Sequence, residues 1–251
     1  MDWHSRYLQQ ASWTRELRAY LLDAAAIDRA QKVLEVGCGT GAILSDLAQQ
    51  ARRATASQMG IHGLDISLPS LRIARAYAPG VILTQGDAHQ LPLADRSFDI
   101  TLCHFLLLWI SDPLLAIREM RRVTKLSGHV LALAEPDYTA RRDYPPEFSH
   151  VGALQKRALA AQGADPDIGA RIADLFHSAG LRIVETGTIA PQQADAIGEQ
   201  QWASEWDTLR EDLSGMLSDA ELDHLQQLDL QARRLGQRRL YVPTYFVHAQ
   251  V

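Results

Sequence analysis

Cysteine is scarce in this chain: two in 251 residues, Cys38 and Cys103. A framework of disulfides is therefore excluded, and a reducing compartment suits the chain better than a secretory one. Long apolar runs are also missing. The longest suggestive stretch, "LLLWI", stops at Ser111, far short of the roughly 20 residues that span a bilayer. The first ten residues, "MDWHSRYLQQ", lack the basic-then-apolar pattern of a secretory leader. An excess of basic charge is absent too. The formal charge is -5, whereas a nucleic-acid binder shows a basic stripe. Arginine pairs do occur (Arg52-Arg53, Arg121-Arg122, Arg141-Arg142, Arg233-Arg234, Arg238-Arg239), but acids are interspersed, and the pairs read as solvated helix faces. Repeats and low-complexity tracts are absent. These absences predict a cytoplasmic protein that binds neither nucleic acid nor membrane.

What is present is an ordinary apolar share of 47%, enough to bury one large α/β core. "KVLEV", "IHGLDIS", "VILTQGD", "FDITLCHF" and "GHVLALAEP" read as buried strands, with helix-spaced segments between them. Strands alternating with helices of this length predict a parallel sheet with helices on both faces. Helices are expected at 42–53, 68–77 and 113–125, the last capped by Asp112 with Pro113 in its first turn. Beyond Pro136 come a polar loop, helices ending at the C-cap glycine Gly180, and two further strands, "LRIVETGTI" and "YFVHAQV". Between those strands, residues 191–239 look helical. Trp202, Trp206, Leu209 and Leu213 share a face, and Ser218 with Glu221 forms a capping box. At the N-terminus, Trp3, Tyr7, Trp13, Leu17, Tyr20 and Leu21 recur at helical spacing, either as a packing face or as a lid over a ligand. The expected organisation is a single domain over 1–251: an N-terminal helical lid (1–30), a core (31–190), a helical insert (191–240) and a last strand (241–251).

In a sheet of this kind a ligand lies at the carboxyl ends of the strands, where strand order reverses. The first strand there runs into "EVGCGTG", residues 35–41. Gly37, Gly39 and Ala42 satisfy the short dinucleotide pattern, so a nicotinamide cofactor is formally allowed. Glu35 argues otherwise, because a carboxylate is a poor neighbour for two phosphates and a good one for an ammonium or a sulfonium. Asp65, ending the second strand, suits the two hydroxyls of a ribose, as it would in either reading. Asp87, in "GDAHQLPL", is placed to accept an adenine amine.

Four landmarks in order, "EVGCGTG", "GLDIS", "GDAHQLPLADRSFD" and "RVTKLSGHVLALAEP", resemble the class I S-adenosylmethionine-dependent methyltransferases, in particular the small-molecule group. The resemblance covers residues 32–184. It implies a Rossmann-like, seven-stranded, mostly parallel sheet with an antiparallel last strand and helical cap elements. It also implies that Glu35, Gly37, Cys38, Gly39 and Gly41 line the methionine side of S-adenosyl-L-methionine. Asp65 would hold the ribose and Ile66 the adenine face, with Asp87 and Ala88 at the adenine edge and His104 or Phe105 near the sulfonium. His104 serves equally well as a structural histidine. No metal site is expected.

The implied reaction is an in-line methyl transfer to a small-molecule acceptor, in which alignment and water exclusion matter most. The motif with which base-methylating enzymes follow the fourth strand is replaced here by "CHFLLLWI", which disfavours that chemistry. His104, Glu135, Asp137, Tyr138 and His150 are the candidate bases, and none is singled out. Cys38 and Cys103 read as buried thiols rather than nucleophiles. The acceptor pocket would be covered by the N-terminal helices, the loop 137–148 and the insert. Its aromatic residues suit an apolar acceptor, and Arg141-Arg142 would attract an acidic one if the pair were not solvated. Two alternatives stay open: a donor-binding protein without transferase activity, and an NAD-dependent oxidoreductase. A homodimer through the terminal helices is compatible with the pattern but carries no signal of its own.

Overall fold

The structure is a computed structural model and describes residues 3–53, 59–189 and 198–251. Helices α1 (Trp3–Trp13) and α2 (Arg15–Ala24) precede β1 (Lys32–Val36), α3 (Ala42–Arg53), β2 (Gly60–Asp65), α4 (Leu68–Tyr77), β3 (Ile82–Gln85) and β4 (Phe98–Cys103). Then follow α5 (Pro113–Val123), β5 (Thr124–Pro136), β6 (Arg142–Tyr144), α6 (Phe148–Ala161), α7 (Ile172–Ser178) and β7 (Arg182–Thr188). The chain closes with α8 (Glu199–Asp212), α9 (Asp219–Arg234), β8 (Arg239–Tyr241) and β9 (Thr244–Gln250). No helix among the described residues is long and apolar enough to cross a membrane.

Seven strands form one sheet in the order β3-β2-β1-β4-β5-β9-β7. The first five run parallel, and β9 slots antiparallel between β5 and β7. This is the sheet that the strand pattern and the family resemblance predict. β1 and the end of β5 are buried almost without interruption, as strands covered on both faces must be. Their alternate residues feed two cores. Leu34, Val36, Val130 and Ala132 join Ile117, Met120 and Phe176 on one face. Val33, Leu131 and Leu133 join Leu21, Leu22, Ile43 and Leu47 on the other.

Local signals set the helix ends. Asp112 accepts from the Leu115 amide at 3.0 Å with Pro113 in the first turn, and the reciprocal Ser218–Glu221 box opens α9. Gly180 turns the chain at φ +78° after α7. A third apolar cluster stands off the sheet: Phe148 and Val151 of α6 pack with Trp206, Leu213 and Leu222 of α8 and α9. It lies over the carboxyl ends of the strands together with a two-stranded sheet, β6 against β8. That small sheet was not expected from sequence. Three residues per strand, paired across about a hundred positions, leave no periodic trace.

Candidate functional site

Strand order reverses between β1 and β4, so the crevice lies at their carboxyl ends. The glycine loop leaving β1 folds back onto β2: Gly37 and Cys38 donate to the Leu64 carbonyl at 2.7 and 3.0 Å. Gly37 takes φ +71°, which favours glycine, and a Cβ there would stand 2.5 Å from Leu106 Cδ1, so the Leu106 side chain after β4 packs directly on the loop. Gly41, at φ +84°, abuts Ala74 of α4 and lets α3 start against its neighbour. The Gly39 amide donates to Asp65 Oδ2 at 2.7 Å and the Ser67 amide to Oδ1 at 2.8 Å. Asp65 thus ties the loop to the end of β2 while each oxygen keeps a free lone pair.

Glu35 is 2% exposed, and its Oε2 has no hydrogen-bond partner among the described residues. Burial pushes its carboxyl well above the usual range; Arg18 opposes this, and Asp65 and Asp46 add to it. Arg18 is buried too. It pairs with Asp46 and donates from Nη1 to the Ala11 carbonyl and to Thr14 Oγ1 at 2.9 and 3.0 Å, pinning the N-terminal helices to α3. Thr14 Oγ1 in turn lies 3.0 Å from His104 Nε2. The Thr14 hydroxyl also reaches the Ala11 carbonyl at 3.3 Å, which can take its single proton, so the direction of the His104 contact follows the imidazole tautomer. Burial, aided by the Arg18 charge, lowers the His104 pKa to about 3.

The segment after β4 is held from below. Glu135 is fully buried and accepts the amides of Leu106, Leu107 and Leu108 at 3.0, 2.9 and 3.1 Å. Burial still outweighs those three bonds and lifts its carboxyl to about 7. Phe105, at φ +50°, donates its amide to the Ala134 carbonyl at 3.0 Å. Asp87 accepts the His89 amide and ring nitrogen at 2.8 and 2.7 Å, bonds that hold its pKa below the usual range.

The glycine loop, Asp65, Asp87, Thr14 and His104 line one cavity of about 860 Å³, a size toward the upper end for small-molecule and cofactor sites. It brings together ten of the eleven residues expected at a donor site: Glu35, Gly37, Cys38, Gly39, Asp65, Ile66, Asp87, Ala88, His104 and Phe105. Gly41 faces Ala74 instead. Ile66 is 68% exposed, an apolar side chain standing free at the mouth. Both thiols are buried, and burial raises their pKa values, so neither is a nucleophile at neutral pH.

The cavity continues under the cap, and the three segments expected to cover it all contribute. From α1 come Arg6, Tyr7 and Trp13, with the Tyr7 ring against Gly39. His4 of the same helix bonds Thr40 at 2.8 Å and stacks on Tyr77. Tyr138 and Arg141 come from the loop after β5, Phe148 from the start of α6, and Trp206, Leu209, Asp229 and Arg233 from the last helices. Here the solvated reading of the arginine pairs fails for one member of three pairs. Arg141 pairs with Asp143 at 2.6 Å, and Arg238 bridges Asp143 and Asp229 at 2.9 and 2.6 Å. Arg233 meets Asp229 at 2.7 Å, and the indole N–H groups of Trp202 and Trp206 donate to the same carboxylate. Burial would raise Asp229, yet Arg233 and those indoles hold it below the usual range.

Of the five candidate bases, Glu135 is occupied by the loop, Asp137 by the amides of Thr139 and Ala140, and His150 is exposed on α6 outside the cavity. His104 and Tyr138 do line it. Arg6 and Tyr241, which the sequence does not single out, and Arg233 and Arg238, which it presents as solvated, also line the cavity, and none of the four carries a local motif.

Fold and crevice define an α/β protein whose glycine loop and strand ends open into one cavity that runs on under a helical cap. Residues 34–132 match the family described as methyltransferase domain. It is 29% identical over 230 residues to an uncharacterized 37.1 kDa protein in transposon TN4556 of Streptomyces fradiae, covering 87% of this chain and 65% of that protein. It is 37% identical over 125 residues to malonyl-(acyl-carrier protein) O-methyltransferase of Erwinia pyrifoliae, covering 50% of this chain and 45% of the other. The chain thus spans less than two thirds of the length of either relative. A SAM-dependent methyltransferase from Thermotoga maritima shares the fold, with a TM-score of 0.56 and 18% identity over 98% of this chain and 95% of its own.

Proposed function

We propose that this protein transfers a methyl group from S-adenosyl-L-methionine to a small-molecule acceptor by in-line displacement. The observation that carries the donor assignment is the unpartnered Glu35 Oε2, a buried acceptor at the root of the glycine loop. A buried carboxylate oxygen without a donor is costly, and an amino acid's ammonium would complete it. A dinucleotide's pyrophosphate would instead meet its charge. Asp65, already oriented by two amides, keeps lone pairs for ribose hydroxyls, and exposed Ile66 offers an apolar face for adenine. Asp87 and Ala88 would meet its edge.

When bound, the donor supplies an electrophilic methyl on a positive sulfur. The chain's own contribution is alignment and exclusion of water. Glu135 fixes the loop of Phe105 and Leu106, while Arg18 and Thr14 fix His104 and the lid. His104 is too acidic as an imidazolium to hold a proton at neutral pH, and burial raises the Tyr138 phenol. Neither is set up as a strong base, which suits an acceptor that needs little deprotonation before attack. Two buried thiols and no bonded pair fit a cytoplasmic setting.

Calorimetric titration with S-adenosylhomocysteine, with NAD in parallel, tests the donor. Micromolar binding of the former, lost in Asp65→Ala, is expected, with no heat from NAD. Binding of NAD alone overturns the assignment.

A further inference from the structure

Four guanidinium groups line the cavity: Arg6, Arg141, Arg233 and Arg238. Three are matched by buried carboxylates within 3 Å, on Asp143 and Asp229. Arg6 is not. Its Nη1 donates to Gln9 Oε1 at 2.9 Å, its guanidinium carbon lies 5.2 Å from the centroid of the Trp13 ring, and no carboxylate among the described residues is within ion-pair distance. One N–H of the five that a guanidinium carries is thereby engaged. Two more buried donors beside it lack an acceptor: Trp13 Nε1 and Gln9 Nε2. Of these residues Arg6 and Trp13 line the cavity, so the α1 wall presents to it a guanidinium with N–H groups to spare and an indole N–H without an acceptor among the described residues, groups that normally end up hydrogen-bonded.

The rest of the chamber narrows what would pair with them. Glu205 and Asp212 line the same space, and together with the Tyr138 phenol they act on Arg6 at longer range. A dianion would be opposed by those two acids, whereas a planar monoanion matches the guanidinium fork. Val151, Leu159, Trp206 and Leu209 offer an apolar wall for the body of the molecule. We infer that the methyl acceptor is an apolar molecule bearing a carboxylate, and that Arg6, backed by the Trp13 indole N–H, receives that carboxylate. This rests on reading the cavity as a joint donor and acceptor chamber.

The test is titration of the full chain, saturated with S-adenosylhomocysteine, with 3-phenylpropionate, indole-3-acetate and octanoate, each beside its carboxamide, and with phenyl phosphate. At least one acid should bind at millimolar concentration or below, with its amide about tenfold weaker or more, as expected for losing one charge-assisted bond. Arg6→Gln should bring the acid to the level of the amide, and Arg6→Lys should restore part of the difference. Trp13→Phe, which keeps the ring and removes the donor, should weaken acids only, and it serves if Arg6→Gln does not fold. Affinity for S-adenosylhomocysteine should stay level in all three. The inference is overturned if no acid binds, if acids and amides bind alike, if phenyl phosphate binds more tightly than the acids, or if acid binding survives in Arg6→Gln and Trp13→Phe. Failure of S-adenosylhomocysteine to bind the unmodified chain would sink the donor assignment instead, and the acid arm is then read without it.

Discussion

The two ends of the cavity are built on different principles. The donor end is made of backbone: glycine amides folded onto Leu64, an aspartate tying one loop to the next, and a segment hung by three amides from Glu135. Its charged groups are carboxylates tied mainly to backbone amides, and Glu35 Oε2 stands without a hydrogen-bond partner among the described residues. The acceptor end is made of long side chains. Arg141, Arg233 and Arg238 and their carboxylates lock three distant segments together, with both members of each pair almost fully enclosed. Backbone geometry can be held open for a ligand because the sheet supports it. A roof of helices has no such support, and ionic bonds take over the role of a ladder.

The sharpest way to break this comparison is to remove one carboxylate of the roof. Asp229→Ala removes at once the carboxylate shared by Arg233, Arg238 and two indole N–H groups, leaving Arg238 with Asp143 and Arg233 with the more distant Glu205. Breaking a buried pair of this kind costs about 3–5 kcal/mol. For a domain of this length, Tm should fall by roughly 2–4 °C per kcal/mol, measured by calorimetry. If the roof is separate from the donor end, whatever folds should still bind S-adenosylhomocysteine. An unchanged Tm would mean the network contributes nothing.

At the donor end the expected loss is of affinity rather than stability. Gly37→Ala places a methyl 2.5 Å from Leu106 and forces a left-handed backbone on alanine. The cost, about 1–3 kcal/mol for the strained backbone, adds to displacement of the Leu106 side chain, and titration should find binding reduced by tenfold or more. Asp65→Ala should weaken binding by about ten- to a hundredfold, the equivalent of one or two charge-assisted bonds, with a smaller change in Tm. A variant that lost stability and kept affinity would erase the distinction between the two ends.

That distinction also explains what could be read from sequence. The glycine loop, the caps at Asp112 and Ser218, and the parallel sheet are local or periodic, and each leaves its mark within a few residues. The antiparallel placement of β9 followed from the resemblance, not from its own pattern. Arg238 looks like any arginine in a solvent-facing pair, because the partner that buries it, Asp143, lies 95 residues away. Glu135 ends a strand next to the crevice and so qualified as a base. Only the fold shows that its oxygens belong to the amides of residues 106–108. Tyr7 gave a helical spacing and nothing about Gly39.

The subtlest effect concerns protons. In the free protein the Glu35 carboxyl titrates well above the usual range, chiefly through burial. An ammonium placed on its open oxygen would favour the charged form and lower that pKa. The bound state then holds fewer protons than the free state, so binding releases a proton, and affinity for S-adenosylhomocysteine rises as pH climbs through the raised pKa, levelling off above it. The same shift acts on folding with the opposite slope. Because the folded chain holds the Glu35 and Glu135 protons more tightly than the unfolded one, these two groups make the free protein less stable as pH rises from the ordinary carboxyl range to their raised values. Calorimetry in two buffers of different ionisation heat measures the released proton directly. Glu35→Gln should abolish the buffer dependence and flatten the pH profile. Should the variant keep both, the proton comes from elsewhere, and Glu35 is not where the donor's ammonium sits.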